Sequence, residues 1–136
     1  MDINIITERY IETYLEKHWK EIFPNFKLIS FQFPIYGCYS QRKIGIADVA
    51  FKKGKTYFIG ELKWSGQDSE DVWGSFKAIG YAKMFGLQIK QPVRPVAIFR
   101  KELMSNDMRT LFYKIKLDYM LISRDNEGFL VEYDFR

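Results

Sequence analysis

The 136-residue chain has one cysteine, Cys38, and one histidine, His18. A single cysteine excludes an internal disulfide and any site built on a cysteine cluster. No apolar run approaches the roughly 18 residues that a membrane-spanning helix needs, so no membrane partner is expected. The first ten residues, MDINIITERY, lack the basic-then-apolar order of a signal peptide. An intracellular, reducing, cytoplasmic location is the default expectation. Repeats, low-complexity stretches and linkers are also missing, so one domain over residues 1–136 is expected.

Other features are plentiful. The chain is 47% apolar and 18% aromatic, enough for a real core and too much for a disordered chain. Net charge is +4, which is modest, but the cations are grouped. Residues 36–65 hold six basic side chains, including Arg42 and Lys43, against the two acids Asp48 and Glu61. Residues 87–117 hold seven against two. Such grouping suits a polyanion partner, and it equally suits solvated lysines on hairpin tips and helix faces.

Residues 44–64, IGIADVAFKKGKTYFIGELKW, read as a β-hairpin with strands 44–51 and 56–64. Three groups in it do not belong in an apolar ribbon: Asp48, Glu61 and Lys63. A buried carboxylate is costly unless it is paired or binds a metal. With Lys53 and Gly54 at the tip of a two-residue turn, Lys52 faces Lys55, Phe51 faces Thr56 and Asp48 faces Ile59. Side chains repeat every second residue along a strand, so Asp48, Ile59, Glu61 and Lys63 share a face. Asp48 and Glu61 then become diagonal neighbours whose carboxylates converge. A turn one residue longer would break that parity unless a bulge restored it.

Residues 6–22 read as an amphipathic helix capped by Thr7 and stopped by Pro24, with Tyr10, Ile11, Tyr14, Leu15, His18, Trp19 and Ile22 in one arc. His18 reads as core. Glu8 lies inside the arc and Glu12 at its edge, so Glu8, then Glu12, is the acid expected to face the sheet. Glu8 also suits the first turn on dipole grounds alone. Residues 26–35 alternate as a strand, with Phe26, Leu28 and Ser30 on one face and Ile29, Phe31 and Phe33 on the other. The loop 36–42 offers Ser40 and Gln41 as substrate contacts or as ordinary loop residues. Asp68 or Ser69 is expected to cap a helix over residues 70–85, with Val72, Trp73, Phe76, Ile79, Gly80 and Met84 inward. Gly80 is expected to permit close approach to the sheet, and Gly86 to end the helix. Lys77 and Tyr81 share a side of that helix and could reach a phosphate. A strand at 96–99, a helix at 101–115 (Met104, Met108, Leu111, Phe112 and Ile115 inward) and strands at 118–123 and 129–135 follow. The order suggests an α/β fold with helices around a central mixed sheet.

Asp48 followed by Glu61-Leu62-Lys63, after an acidic helix and ahead of another helix and an apolar strand, resembles the D…(D/E)xK signature of the PD-(D/E)XK nuclease superfamily. The chain has nine glutamates but a single Glu-x-Lys and no Asp-x-Lys. The resemblance covers roughly residues 7–99; Ala47 stands where the family's name has proline. It implies a restriction-endonuclease-like fold with an α-β-β-β-α-β core, extended by a C-terminal helix and strands.

It further implies a Mg²⁺- or Mn²⁺-dependent endonuclease that hydrolyses DNA phosphodiester bonds. Asp48, Glu61 and the Leu62 carbonyl would be metal ligands, Lys63 would orient the attacking water, and Glu8 or else Glu12 would complete the acid set. Arg42, Lys43, Lys77, Tyr81 and Ser40 are candidate DNA contacts. The small size and layout resemble archaeal-type Holliday junction resolvases, while a restriction or repair nuclease fits equally. Small members of this fold often act as dimers, so a homodimer is expected, with Phe129, Tyr133 and Phe135 as interface or core. The alternative is a binding module of the same fold that no longer cleaves.

Overall fold

A computed structural model describes residues 7–64 and 70–135. The chain begins with α1 (Glu8–Lys17) and the short α2 (Trp19–Ile22), then the strands β1 (Lys27–Tyr36), β2 (Lys43–Lys53) and β3 (Thr56–Leu62). α3 (Glu70–Ser75) and α4 (Lys77–Ile89) lead to β4 (Val93–Arg100). α5 (Asn106–Lys114) leads to β5 (Asp118–Arg124) and β6 (Phe129–Asp134). The six strands form one open mixed sheet in chain order. β3, β4 and β5 are parallel, and every other neighbouring pair is antiparallel. Parallel neighbours need crossovers, which α3–α4 and α5 supply. The α/β class and the expected order of helices, strands and hairpins are observed.

The sheet is covered on both faces. Ile11, Leu15, Trp19 and Phe23 of the first two helices pack on Val49, Phe51, Phe58, Leu62 and Ile98. Phe51 and Phe58 stack at 4.9 Å with planes 3° apart. On the other face Val72 and Phe112 pack on Ala97, Phe99 and Leu121, and Ala82 packs on Ala47, Ala50 and Ile59. The last strand returns to the first helix: Phe129 is buried and meets Tyr14 at 5.2 Å. Tyr133 and Phe135 pack against Phe23 and Phe26. The three tail aromatics expected as interface or core therefore make core contacts.

Several elements differ from expectation for local reasons. Thr7 caps α1, accepting the Tyr10 amide at 3.1 Å, but the helix breaks at His18, which has φ −106° and ψ 16°. His18 is half-exposed, beside Glu21 and the Tyr14 ring, and not core. Tyr10 is exposed. The second helix breaks at Phe76, which shifts the phase of what precedes and follows. Trp73 is turned outward, and Ala78 and Ala82 take the inward positions. Nothing approaches Gly80, and the helix continues through Gly86 to Ile89. The helix expected at 101–115 splits into a 3-10 turn, Lys101–Leu103, and α5, which Ser105 caps through the Met108 amide; Ile115 is exposed. The Asp68 or Ser69 cap and Ile6 lie outside the described residues. Among the described residues, no helix is long and apolar enough to cross a membrane.

Strand β1 departs from simple alternation twice. A register shift between Leu28 and Ser30 leaves Ile29 extra and exposed, as a bulge does. Phe31 thereby joins Leu28 on the α1 face. Gln32 then adopts a left-handed φ of 54°, and Phe33 points to the α4 face instead.

Candidate functional site

The hairpin turn sits one step from its expected place. Lys53 pairs with Thr56 and Phe51 with Phe58, so Gly54 and Lys55 form the tip. Gly54 takes φ 59°, the positive value that a tight two-residue turn demands of its first position. The register is thus displaced by two residues, and a displacement of two preserves which face each side chain occupies. Asp48 and Glu61 still share a face, now level with each other instead of diagonal.

The backbone ladder between the two strands runs only to Val49 and Gly60. Beyond it β2 and β3 part, and the carboxylates take over as acceptors. The Asp48 amide donates to Glu61 Oε1 at 3.1 Å, and the Leu62 amide donates to Asp48 Oδ2 at 2.6 Å. Each acid thus satisfies an amide of the opposite strand at the fork. Strand β3 stays attached to β4 through the Lys63 amide, which donates to the Ile98 carbonyl.

Two of the three acids of α1, Glu8 and Glu12, lie toward this fork. Glu8 Oε1 accepts the Trp64 amide at 3.2 Å, tying α1 to the residue after the Glu-x-Lys. Glu12 is 5% exposed, more deeply buried than Glu8, and its Oε1 accepts Gln32 Nε2 at 2.8 Å. Gln32 was missed by the sequence reading. It lies between Phe31 and Phe33, whose partners Val49 and Ala47 flank Asp48. Its one sequence signal is a polar residue between two phenylalanines. A left-handed non-glycine costs about 1–2 kcal/mol, held here by the surrounding sheet and the Glu12 bond.

Cations and a phenol border the acids. The Lys63 stem runs against Gly74 of α3, where an added Cβ would meet it at 3.2 Å. Lys63 and Lys77 both act electrostatically on Asp48 and Glu61. The Tyr81 hydroxyl lies over Gly45, so close that a side chain there would collide with it. Burial, then the Glu61 and Asp48 charges, push the Tyr81 phenol above its usual range. Ser40, Arg42 and Lys43 are all exposed, at the loop and start of β2; Ser40 Oγ accepts the Arg42 amide within the loop. Of the candidate DNA contacts, Lys77 and Tyr81 therefore adjoin the acids, while the other three lie further back along β2.

The acids are held in an environment that disfavours their charge. Burial, then the neighbouring Asp48, pushes the Glu61 carboxyl from 4.5 to about 7. The same causes in the same order push Glu12 from 4.5 to about 7. Burial raises Asp48 as well, with Glu8 adding to the effect and the Leu62 amide opposing it. Like charges taken out of water together behave this way. As the side chains stand, no three His, Cys, Asp or Glu among the described residues are gathered to hold a metal ion. The donor set is nonetheless one of hard oxygens with excess negative charge, the chemistry that suits Mg²⁺ or Mn²⁺. Comparison with family models, curated proteins and solved structures gives no match for the chain.

Proposed function

We propose that the chain is a metal-dependent nuclease of restriction-endonuclease-like fold that hydrolyses phosphodiester bonds in DNA. One observation carries the reading: Asp48 and Glu61 cross-cap the strands at the fork, with Glu8 and Glu12 brought in from α1 and Lys63 beside them. A packing role does not explain four acids around one strand end, two of them raised to about 7. Positive charge delivered there relieves their repulsion.

Asp48 and Glu61 would hold Mg²⁺ or Mn²⁺, together with the Leu62 carbonyl, and Glu8 or Glu12 would complete the set. A bound metal ion would supply a water of lowered pKa and charge stabilisation for the phosphate. Lys63 would orient the attacking water and offset charge on the phosphate. Lys77 and Tyr81 hold the scissile strand from the α4 side, and Arg42, Lys43 and Ser40 extend the contact along β2. Gln32 fixes the Glu12 carboxyl through its hydrogen bond. Structured DNA such as four-way junctions, and the DNA substrates of restriction or repair, fit this reading equally.

The test is incubation of the protein with linear, single-stranded, flapped and four-way DNA in Mg²⁺, Mn²⁺ or EDTA, beside Asp48→Asn and Lys63→Ala. Metal-dependent cutting that both substitutions abolish supports the proposal; cutting indifferent to both sinks it. The amide bonds that engage Asp48 Oδ2 and Glu61 Oε1 favour one rival, a DNA-binding module that does not cleave. DNA binding without cutting under every metal condition is its signature.

A further inference from the structure

The carboxyl ends of the parallel strands carry a second cationic feature, on the α1 face beside the fork. Trp64, the residue after Lys63, is 5% exposed, and the Arg100 guanidinium lies over its ring at 4.8 Å. The same ring meets Phe129 edge-on at 6.0 Å, and the Arg124 guanidinium lies over Phe129 at 5.6 Å. The strand register builds this row. Arg100 is level with Ile122, and Arg124, two residues further along β5, pairs with Phe129. Side chains two apart share a face, so both arginines stand on the side of Ile98, Met120 and Ile122, which pack with Ile11 and Leu15 of α1.

Two donors in the row are idle. Trp64 Nε1 and Arg100 Nε are both buried and meet no acceptor among the described residues. A buried indole N–H ordinarily finds a partner, and leaving a buried donor unsatisfied costs about 1–3 kcal/mol. Neither arginine pairs with a carboxylate among the described residues, and the nearby Glu132 is taken by Lys101. A guanidinium held over an aromatic ring keeps N–H donors for a second partner. Simple packing of Trp64 and Phe129 asks for neither arginine. Idle donors and two uncompensated cations describe a seat for an anion.

The place of the row indicates which anion. The Trp64 amide is bonded to Glu8 of the fork, so the row begins one residue beyond the Glu-x-Lys. We propose that Arg100 and Arg124, carried on Trp64 and Phe129, bind backbone phosphates of the DNA strand on the α1 side of the acid fork. The inference rests on the nuclease reading for its substrate. It adds a grip from the face opposite Lys77 and Tyr81, so that the strand is held on both sides of the acids.

The test is fluorescence anisotropy of the full chain in EDTA with a labelled linear duplex and a labelled four-way junction, over a series of salt concentrations. Arg124→Gln, at an exposed position, should weaken binding about five- to tenfold at roughly 0.1 M salt with an unchanged melting curve. It should also reduce the slope of log affinity against log salt by about 1. Arg100→Gln should do the same, and Lys114→Gln, exposed at the end of α5 on the other face, should change neither quantity as much. Cleavage in Mg²⁺ is followed in parallel. Wild type that binds without cutting, with both arginine variants weakened, upholds this surface while the cleavage reading fails. Arginine variants that keep the wild-type affinity and salt slope overturn the proposal, even where metal-dependent cutting is observed. Displacement of the DNA by inorganic phosphate at equal phosphate concentration also overturns it, because the seat would then belong to a free ion. Wild type that binds neither DNA sinks both readings.

Discussion

The two ends of the β2–β3 hairpin are built from the same paired strands and follow opposite rules. Near the turn, backbone bonds to backbone, and Phe51 and Phe58 stack between the strands and α2. Burial there stabilises at any pH. At the fork, carboxylates stand in for the missing backbone acceptors, and burial works against their charge. One end holds the sheet together; the other is held in place by it. A strained or destabilised group persists only where the surrounding structure over-determines it.

The comparison breaks most sharply on activity. Asp48→Asn or Lys63→Ala should lower metal-dependent DNA cleavage on the order of a hundredfold or more. Asp48→Asn should not lower the melting temperature of the metal-free protein at pH 8, whereas Lys63→Ala, which removes a cation that offsets the Asp48 and Glu61 charges, should lower it slightly. Phe51→Ala, at the other end, should cost about 3–5 kcal/mol in denaturant unfolding, enough to lose activity only through loss of fold. A variant at Asp48 that melted like Phe51→Ala would erase the distinction.

Stability against pH sharpens it further. Glu12 and Glu61 titrate near 4.5 in the unfolded chain and about 7 in the folded one. Between those values the folded protein holds protons that the unfolded chain has released. Their contribution is therefore fully present below about 4.5 and is lost as pH rises through about 7. Metal-free protein should melt lower at pH 8 than at pH 5, Mn²⁺ should restore the difference, and Glu61→Gln should flatten the slope. A pH-independent melting curve in EDTA would mean that the fork is not destabilised. The smallest effect is expected at Gln32. Gln32→Gly relieves a left-handed φ while losing the bond to Glu12, so stability should change by roughly 1 kcal/mol or less. Cleavage should fall more than stability does.

Period-2 alternation was enough to place Asp48, Glu61 and Lys63 on a shared face, and the observed turn kept that parity although its tip is Gly54-Lys55. The slip was invisible because Lys52, Lys53 and Lys55 are chemically equivalent at a solvated tip, and glycine suits more than one turn position. The bulge at Ile29 and the left-handed Gln32 had no signature in an aromatic-rich strand. Both depend on tertiary closure against β2. The helix break at Phe76 was hidden for the same reason: neither glycine nor proline stands there, and the sheet decides where α3 ends. The ranking of Glu8 over Glu12 followed from an unbroken wheel. Both acids lie toward the fork, yet Glu12 is the more buried because β1 presents Gln32 to it.

The contact between Tyr14 and Phe129 has a consequence for the order of folding. α1 precedes the sheet in the chain, yet its seat includes Phe129, 115 residues beyond Tyr14, and the Gly128 turn beneath the Tyr14 ring. Contacts so distant in sequence are slow to form, whereas the hairpin that carries Asp48 and Glu61 is local. The acid group therefore assembles in two stages, the hairpin pair first and the α1 acids after the chain has closed on itself.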